Sequence, residues 1–137
     1  MEFFREVHSP GQDAADLKAL ITINRLTDLC ASISSVTPRR EHEADIFCLW
    51  GSFSVRREEI RFGVRFSLLD CPHALAWTIT FNEENGSIVI HCTIDKTEQD
   101  QDFVDSIHEF VADWSAGIVK SLRQDYAGRQ ILNEVKI

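Results

Sequence analysis

The chain has 137 residues, of which 44% are hydrophobic and 26% charged, and these ordinary shares exclude a largely disordered protein. We expect a single α+β domain over residues 1–137, large enough to bury a core without a metal ion or disulfides. The net charge of −8 disfavours binding to nucleic acid or to an anionic membrane and favours a basic partner.

The N-terminus and the cysteines indicate the cellular compartment. Glu2 stands where a secretory signal needs a basic region, and no apolar run follows it, which predicts a cytoplasmic protein. No segment approaches the roughly 18 consecutive apolar residues that indicate a membrane span. The four cysteines, at positions 30, 48, 71 and 92, form no CxxC pair, so we expect reduced thiols that pack as small apolar groups.

A first helix is predicted from Pro10, with Ser9 as its cap, to about Ser35, since the residue before Pro38 avoids the helical region. Its apolar residues form two groups on nearly opposite sides of the helix. The first group is Leu17, Leu20 and Ile21, and the second is Ile23, Leu26, Cys30 and Ile33. We therefore expect the helix to bend or break near Thr22, or the second group to meet another element or another subunit. This pattern is the basis for a predicted homodimer through the first helix.

Residues 46–94 alternate between apolar and polar positions, which predicts four β-strands. The inward positions of the first two strands are Phe47, Leu49, Phe53 and Val55, then Ile60, Phe62, Val64, Phe66 and Leu68. A hairpin loop at residues 56–59 keeps both apolar sets on one face of the sheet, and it places Trp50 opposite Arg65.

The last two predicted strands are joined at Asn85-Gly86, a dipeptide that tolerates positive φ and indicates a two-residue turn. The inward positions before this turn are Leu75, Trp77, Ile79 and Phe81. The turn places Phe81 opposite Ile90 and Ile79 opposite Cys92, which keeps the apolar residues of both strands on the same face.

A second helix is predicted from an N-cap at Thr97 to a C-cap near Gly128. Its apolar stripe is Phe103, Ile107, Phe110, Trp114 and Ile118. The predicted architecture is α-β-β-β-β-α, a four-stranded antiparallel meander flanked by N- and C-terminal helices on one face of the sheet. In this arrangement Phe62 and Trp114 are both buried, and truncating either to alanine costs about 3–5 kcal/mol.

The sequence contains no motif of an assembled active site. A nucleophile elbow, a phosphate-binding loop and a dinucleotide-binding fingerprint are all missing, so we expect no catalysis and no cofactor. Cys71, His73 and His91 are the closest approach to zinc ligands. Alternation sends His91 to the outer face and Cys92 to the core, however, so we predict ordinary surface histidines and core thiols and no metal site.

Two surfaces have the composition of a binding site. The outer face of the sheet combines an exposed aromatic side chain with cationic groups, as the centres of interfaces do. The residues predicted there are Trp50, Arg61, Arg65 and His91. The acidic flank of the last helix consists of Glu98, Asp102, Asp105, Glu109 and Asp113. Each pattern is also typical of a solvated sheet face or of the solvated side of an amphipathic helix.

These features together predict a small, acidic, cytosolic, non-catalytic protein-binding module. Such a module would be an immunity-like or chaperone-like partner of a basic protein, with neither nucleic acid nor membranes among its partners. The alternative is a small-ligand-binding or enzymatic domain with a pocket between sheet and helices, lined by Cys30, Cys92 or His91.

Overall fold

The described part of the chain forms one sheet of seven antiparallel strands, and its helices cover one face of that sheet. The computed structural model describes residues 1–8, 12–95 and 100–135, with side chains described as far as residue 124. The strands are β1 (Glu2–His8), β2 (Ile33–Arg40), β3 (Glu43–Cys48), β4 (Gly51–Ile60), β5 (Gly63–Leu68), β6 (Ala76–Asn82) and β7 (Ser87–Thr93). The helices are α1 (Ala14–Leu20), a 3-10 helix (Ile23–Arg25), α2 (Leu26–Leu29) and α3 (Gln101–Val135).

The strand order across the sheet is β1-β7-β6-β5-β4-β3-β2. The predicted α+β class is confirmed, but the predicted four-stranded meander is wrong. β1 was missed because its pairing is non-local: Phe3 lies opposite Cys92 on β7. Only the start of β2, Ile33 to Ser35, was assigned to the first helix, and the rest of the strand was not predicted. An edge strand tolerates a proline such as Pro38 because one side of the strand makes no ladder hydrogen bonds.

The predicted first helix is broken near Thr22, where α1 has ended and the 3-10 helix begins. Asp13 begins α1: its Oδ1 accepts a hydrogen bond from the backbone N–H of Asp16 (2.8 Å), and the Asp16 carboxylate accepts one in return (3.1 Å). The cap predicted at Ser9 lies outside the described residues. Both apolar groups of the segment are buried within this one chain, so their pattern no longer argues for a homodimer.

The predicted first strand is two strands, because the chain turns at Leu49 and Trp50 and Gly51 follows with a φ of 109°. The turn reverses which positions face the core. Ile46 is buried, whereas Phe47, which was predicted to face inward, is 53% exposed. Leu49, predicted to be in the core, is exposed as well.

β4 continues through the segment predicted to be a hairpin loop and turns only at Arg61 and Phe62. As a result Arg65 lies opposite Glu58, and the predicted pairing of Trp50 with Arg65 is wrong. Phe62 is half-buried at the turn instead of lying in the core.

Arg57 explains why charged residues occur in the middle of this strand. Its side chain is buried, and its Nε and Nη2 donate hydrogen bonds to the carbonyl oxygens of Ile21 (2.7 Å) and Lys18 (2.9 Å). Those carbonyls belong to the end of α1, where backbone acceptors lack helical partners. The guanidinium therefore fastens α1 to the sheet.

The hairpin between β6 and β7 has a four-residue loop, which shifts the predicted register by two positions. Ile79 therefore lies opposite Ile90, and Phe81, which is half-buried, lies opposite Ile88. The side-chain oxygens of Asn82 and Asn85 accept hydrogen bonds from backbone N–H groups two residues later, which stabilises the longer loop. A shift of two preserves the face of each residue, so the inward set was predicted correctly.

The apolar stripe of α3 is buried as predicted at Ile107, Phe110, Trp114 and Ile118. The helix passes through Gly128, so the predicted C-cap is wrong, and the predicted N-cap at Thr97 lies outside the described residues. The core centres on Phe66, Trp77, Phe110 and Trp114, whose rings contact one another at centroid distances from 4.9 to 6.4 Å. No helix in the described ranges is both long and apolar enough to cross a membrane.

Candidate functional site

The face of the sheet opposite the helices, here called the open face, carries an apolar groove. The groove has a volume of about 480 Å³ and includes both aromatic and hydroxyl side chains. Its central residues are Phe4, Phe62, Thr78, Thr80, Val89 and His91, and this set is called the open-face groove below. β1, β6 and β7, together with the turn before β5, bring these residues together.

Strand register aligns one row of side chains across five strands. Phe4 lies opposite His91, His91 opposite Thr78, Thr78 opposite Arg65, and Arg65 opposite Glu58. Neighbouring side chains on one face of a sheet stand close enough to interact. The row therefore joins an aromatic side chain, an imidazole and a guanidinium along one line of the open face.

Phe4 is the most exposed aromatic residue in this row, at 64%. Its ring stacks on the imidazole of His91, with centroids 4.2 Å apart and an interplanar angle of 2°. The Nε2 atom of His91 lies 3.3 Å from a carboxylate oxygen of Glu2. The two rings therefore support each other while one side of Phe4 remains open to a partner.

Charged side chains surround the open-face groove. Its acidic residues are Glu2, Glu6, Glu83 and Glu84, all exposed. Arg61 lies at the β4–β5 turn with its guanidinium 5.0 Å from the Phe62 ring, and Arg65 lies on β5. Glu2 and Glu6 lie on β1 and Glu83 and Glu84 in the β6–β7 loop, whereas the two guanidinium groups lie on the β5 side of the groove.

The predicted outer-face residues divide between the two faces of the sheet. Arg61, Arg65 and His91 are at or beside the open-face groove, as predicted. Trp50 lies on the helix side, where its Nε1 donates a hydrogen bond to Ser106 Oγ (2.8 Å) and its ring contacts Phe110 at 4.9 Å. The turn at Leu49 and Trp50 causes this difference, because it changes the alternation on which the prediction was based.

Only some of the acids predicted to form the flank of α3 are exposed on that helix. Asp102, Asp105 and Glu109 are exposed on the helix, and Glu98 lies outside the described residues. Asp113 is half-buried and accepts a hydrogen bond of 2.5 Å from Ser32 Oγ, which ties α3 to the segment after α2. Because α3 covers the inner face, this flank and the open-face groove lie on different sides of the sheet.

A second concavity lies on the helix side, between the β3–β4 turn, the β5–β6 loop and the start of α3. It has a volume of about 240 Å³. Its lining residues Trp50, Phe53, Leu68, Cys71, His73 and Phe103 define what is called the Trp50 pocket below. Pro72 and Leu75 line it as well, and none of the described residues in its lining is acidic, lysine or arginine.

The residues predicted to line a pocket between sheet and helices do not do so. Burial raises the pKa of the Cys30 and Cys92 thiols to about 12, and both are fully enclosed in the core. Burial also raises the pKa of Cys48. Within the described ranges, no group of three or more His, Cys, Asp or Glu side chains is arranged to hold a metal ion.

Sequence reasoning missed the two residues that matter most to these concavities, Phe4 and Phe103. Phe4 lies in the run Glu2–His8, where Phe3 and Val7 form one alternating set and Phe4 falls in the other. That alternation was a usable signal for β1. Phe103 was placed in the stripe of α3, but no spacing in the sequence links it to Cys71 or His73.

Comparison with known proteins identifies the fold but no family. No protein-family model matches this chain, and no curated protein matches it. Among solved structures, the protein XoxI from Bacillus cereus is similar, with a TM-score of 0.59 and 16% identity over 95% of this chain and 96% of that one. An uncharacterized protein from Bacillus thuringiensis is similar too, with a TM-score of 0.57 and 16% identity over 93% of this chain and 98% of that one. At this identity the likeness concerns the fold alone.

Proposed function

We propose that this protein is a small, acidic, cytoplasmic, non-catalytic protein-binding module and that it receives its partner on the open face of the sheet. The observation that carries this proposal is the Phe4–His91 stack, an exposed aromatic ring held in place above the open-face groove. Large exposed apolar groups beside a concavity, bordered by polar residues, are typical of protein interaction sites.

The composition of the site suits a partner that inserts an apolar side chain. Phe4 and Phe62 offer ring surfaces, and Thr78 and Thr80 offer hydroxyl groups between them. Aromatic side chains account for much of the energy at the centres of protein interfaces. Because Phe4 already rests on His91, binding would require little further ordering of its side chain.

The charge around the site favours a basic partner. The carboxylates of Glu2, Glu6, Glu83 and Glu84 border the groove, and the whole chain carries a net charge of −8. We infer that the partner presents an apolar side chain flanked by lysine or arginine. The exposed acids on α3 would add to the long-range attraction, which speeds association and weakens with salt.

Chemical considerations support binding over catalysis. The aromatic ring and the carboxylate that contact His91 are not nucleophiles, and the hydroxyl of its cross-strand neighbour Thr78 makes no hydrogen bond to its Nε2 atom. Thiols with a pKa of about 12, such as Cys30 and Cys92, stay protonated at neutral pH and are poor nucleophiles.

The test compares two exposed phenylalanines on the same face of the sheet. Immobilised wild-type protein, the Phe4→Ala variant and the Phe47→Ala variant are each used to capture proteins from the lysate of the source cells. Phe47 is the matched control, because it is 53% exposed but lies on β3, away from the groove. We expect a partner that is retained by wild type and by Phe47→Ala, is lost from Phe4→Ala, and is released by salt.

Two further outcomes would overturn the proposal. If all three baits retain the same proteins to the same extent, the open-face groove does not bind a partner. If wild type forms a dimer by light scattering and Phe4→Ala is a monomer, the face is covered by a second copy of this chain instead of a basic partner. Reversal of Glu2 and Glu6 to lysine must also weaken the capture, since the partner is proposed to be basic.

A further inference from the structure

We infer that the partner binds as an extended segment that pairs with the outer edge of β1 and adds an eighth, antiparallel strand to the sheet. The segment carries a basic residue, an apolar residue and a second basic residue at alternate positions. This mode of binding rests on the proposed function, and it specifies the conformation and the sequence pattern of that partner. Three observations support it: a regular edge strand, backbone groups that point outward, and a row of acidic and aromatic side chains beside them.

The two edge strands of the sheet differ in how open they are to a further strand. β2, at one edge, pairs irregularly with β3 at two places and contains Pro38, which two arginines follow. Bulges and prolines protect an edge strand against pairing with other chains. β1, at the other edge, contains no proline and pairs with β7 in an unbroken register from Glu2 to His8. β1 is therefore the more regular template for an added strand.

The hydrogen bonds at the start of β1 show which of its backbone groups point outward. The Met1 ammonium group and the Ile94 N–H each donate to the carbonyl of the other residue, both at 3.1 Å. Along an antiparallel ladder, such doubly bonded pairs alternate with pairs that share no hydrogen bond. The N–H and carbonyl groups of Glu2, Phe4 and Glu6 therefore point away from β7. Within the described part of the chain, no residue pairs with these outward groups.

The same three residues direct their side chains to the open face. Phe4 is 64% exposed, and Glu2 and Glu6 lie two positions before and after it. The Glu2 carboxylate lies 3.3 Å from His91 Nε2, and the Glu6 carboxylate accepts a hydrogen bond from Asn85 Nδ2 (3.1 Å). An added strand would place one residue directly opposite each of the three. The complementary strand has a basic residue over each carboxylate and an apolar residue over the ring, since alternate side chains give specificity when a peptide joins a sheet edge.

A second copy of this chain matches the edge poorly. In the antiparallel register that pairs Phe4 with Phe4, each Glu2 would face the Glu6 of the other copy. Like charges directly opposite each other destabilise a pair of strands. A register shifted by two residues would instead place Phe4 opposite Glu6. Arg5 cannot neutralise these carboxylates, because strand alternation directs its side chain to the other face of the sheet. The edge therefore favours a basic segment of another protein.

The probe is the heptapeptide TKTLTKT, blocked at both ends, whose lysines and central leucine match the row on β1. Its binding is followed by amide hydrogen exchange of the protein. We expect the amides of Phe4 and Glu6 to exchange rapidly in the free protein and at least about tenfold more slowly with saturating peptide, because each gains an acceptor. The amides of Phe3 and Arg5 point to β7 and should exchange slowly in both states, so they are internal controls.

Two methylated peptides separate strand addition from binding by side chains alone. In the proposed pairing the N–H of the central leucine points to β1, whereas the N–H of the next threonine points to solvent. Methylating the leucine nitrogen should weaken binding by at least about tenfold, and methylating the threonine nitrogen should leave the affinity nearly unchanged. Equal affinities of the two methylated peptides, or unchanged exchange of the Phe4 and Glu6 amides, would overturn the inference.

A charge-swapped peptide tests the sequence pattern. TETLTET should bind wild type at least about tenfold more weakly than TKTLTKT, and a Glu2→Lys, Glu6→Lys double variant should reverse this preference. Both carboxylates are exposed, so the variant should keep its fold. A preference that does not reverse would contradict the basic pattern.

The peptide experiments and the lysate capture can fail separately. If capture depends on Phe4 but TKTLTKT does not protect the amides of Phe4 and Glu6, the groove binds its partner in another way and only strand addition is excluded. If no partner is captured, the proposed function fails, whatever the peptides show.

Discussion

Phe4 and His91 face each other across β1 and β7, and their rings lie parallel, 2° apart in angle and 4.2 Å apart between centroids. The pair is cross-strand and lies outside the core, so its energetic contribution to folding is small. Its conformation is nevertheless well defined, because Glu2 contacts the imidazole from the same strand as Phe4. This combination of high exposure and fixed geometry is the basis for the binding role proposed for Phe4.

Replacing Phe4 with alanine should therefore change the free energy of unfolding by less than about 1 kcal/mol, because most of its ring is already in water. Its neighbour Phe3 is the matched control: it lies on the same strand, points into the core and is 6% exposed. Phe3→Ala should cost about 3–5 kcal/mol. Urea denaturation of the two variants measures both values. Equal losses would mean that Phe4 is part of the core and that the open-face groove is not free.

Trp114 and Phe62 were both predicted to be core residues, but the structure separates them. Trp114 is fully buried among Phe66, Trp77 and Phe110, so Trp114→Ala should cost about 3–5 kcal/mol. Phe62 is half-buried at a turn on the open face, so Phe62→Ala should cost less than about 2 kcal/mol. Thermal or urea unfolding tests this difference, and similar losses for both variants would contradict the observed β4–β5 turn.

Gly117 allows α3 to pass close to α2. A Cβ atom at this position would lie 1.9 Å from the carbonyl oxygen of Leu29, a distance that requires the backbone to move. Helix propensity alone predicts that Gly117→Ala stabilises the protein by about 1 kcal/mol. The close approach of the two helices predicts instead that Gly117→Ala destabilises the protein by about 1–3 kcal/mol, because overpacking usually costs this much.

The sign of the Gly117→Ala effect is read from urea unfolding. Ala116 provides the reference, because it is the neighbouring residue and is exposed, and Ala116→Gly should show only the loss of about 1 kcal/mol expected from propensity. A stabilised Gly117→Ala variant would mean that α2 and α3 are farther apart in solution.

Arg57 and Arg56 are adjacent in β4, but they should contribute very differently to the free energy of unfolding. Arg57→Met leaves the carbonyls of Ile21 and Lys18 without their donor, which should cost about 2–5 kcal/mol. The Arg57→Lys variant should retain only part of the stability that Arg57→Met loses, since one ammonium group cannot reproduce the geometry of the guanidinium. Arg56 is exposed and pairs with Glu43 at 3.0 Å, so Arg56→Met should cost less than about 1 kcal/mol. Equal losses at the two positions, measured by urea unfolding, would exclude the link between α1 and the sheet.

Alternation and helical spacing predicted those parts of the fold in which each residue's face depends only on its neighbours in sequence. The inward positions of β5, β6 and β7 and the stripe of α3 were correct for this reason. The register of β6 and β7 was wrong by two, yet Ile79 and Ile90 kept their face, because the period of a strand is two residues.

The features that were predicted wrongly are determined by contacts between residues that are distant in sequence. The alternation of residues 2–8 indicates a strand, but its place at the edge of the sheet beside β7 follows only from the Phe3–Cys92 pairing. The charged run that includes Arg57 was assigned to a loop because this kept the flanking apolar residues on one face. Arg57 is instead buried, and its partner is the end of α1, which is distant in sequence. The Trp50 pocket combines the β3–β4 turn, the β5–β6 loop and α3, and nothing in the local spacing of these segments indicates that they meet.

The buried thiols make alkaline stability a direct test of the core. Burial raises the pKa of Cys30 and Cys92 to about 12 in the folded protein, against an ordinary value of 9.0. Below the ordinary value both thiols are protonated in the folded and unfolded states, and they contribute no pH dependence. Above it the unfolded chain releases protons that the folded protein retains, so the free energy of unfolding should fall by about 1.4 kcal/mol per pH unit for each thiol, until the pH reaches the folded pKa.

Wild type should therefore lose stability more steeply than a Cys30→Ala, Cys92→Ala double variant when urea unfolding is compared at about pH 8 and about pH 10. All other titratable residues are common to both proteins, so their contributions cancel in the comparison. The two substitutions cost some packing energy at every pH, so the informative quantity is the difference in slope and not the difference in stability. Parallel slopes would mean that the two thiols reach solvent in the folded protein, which would contradict the packing of α2 and β7 described above.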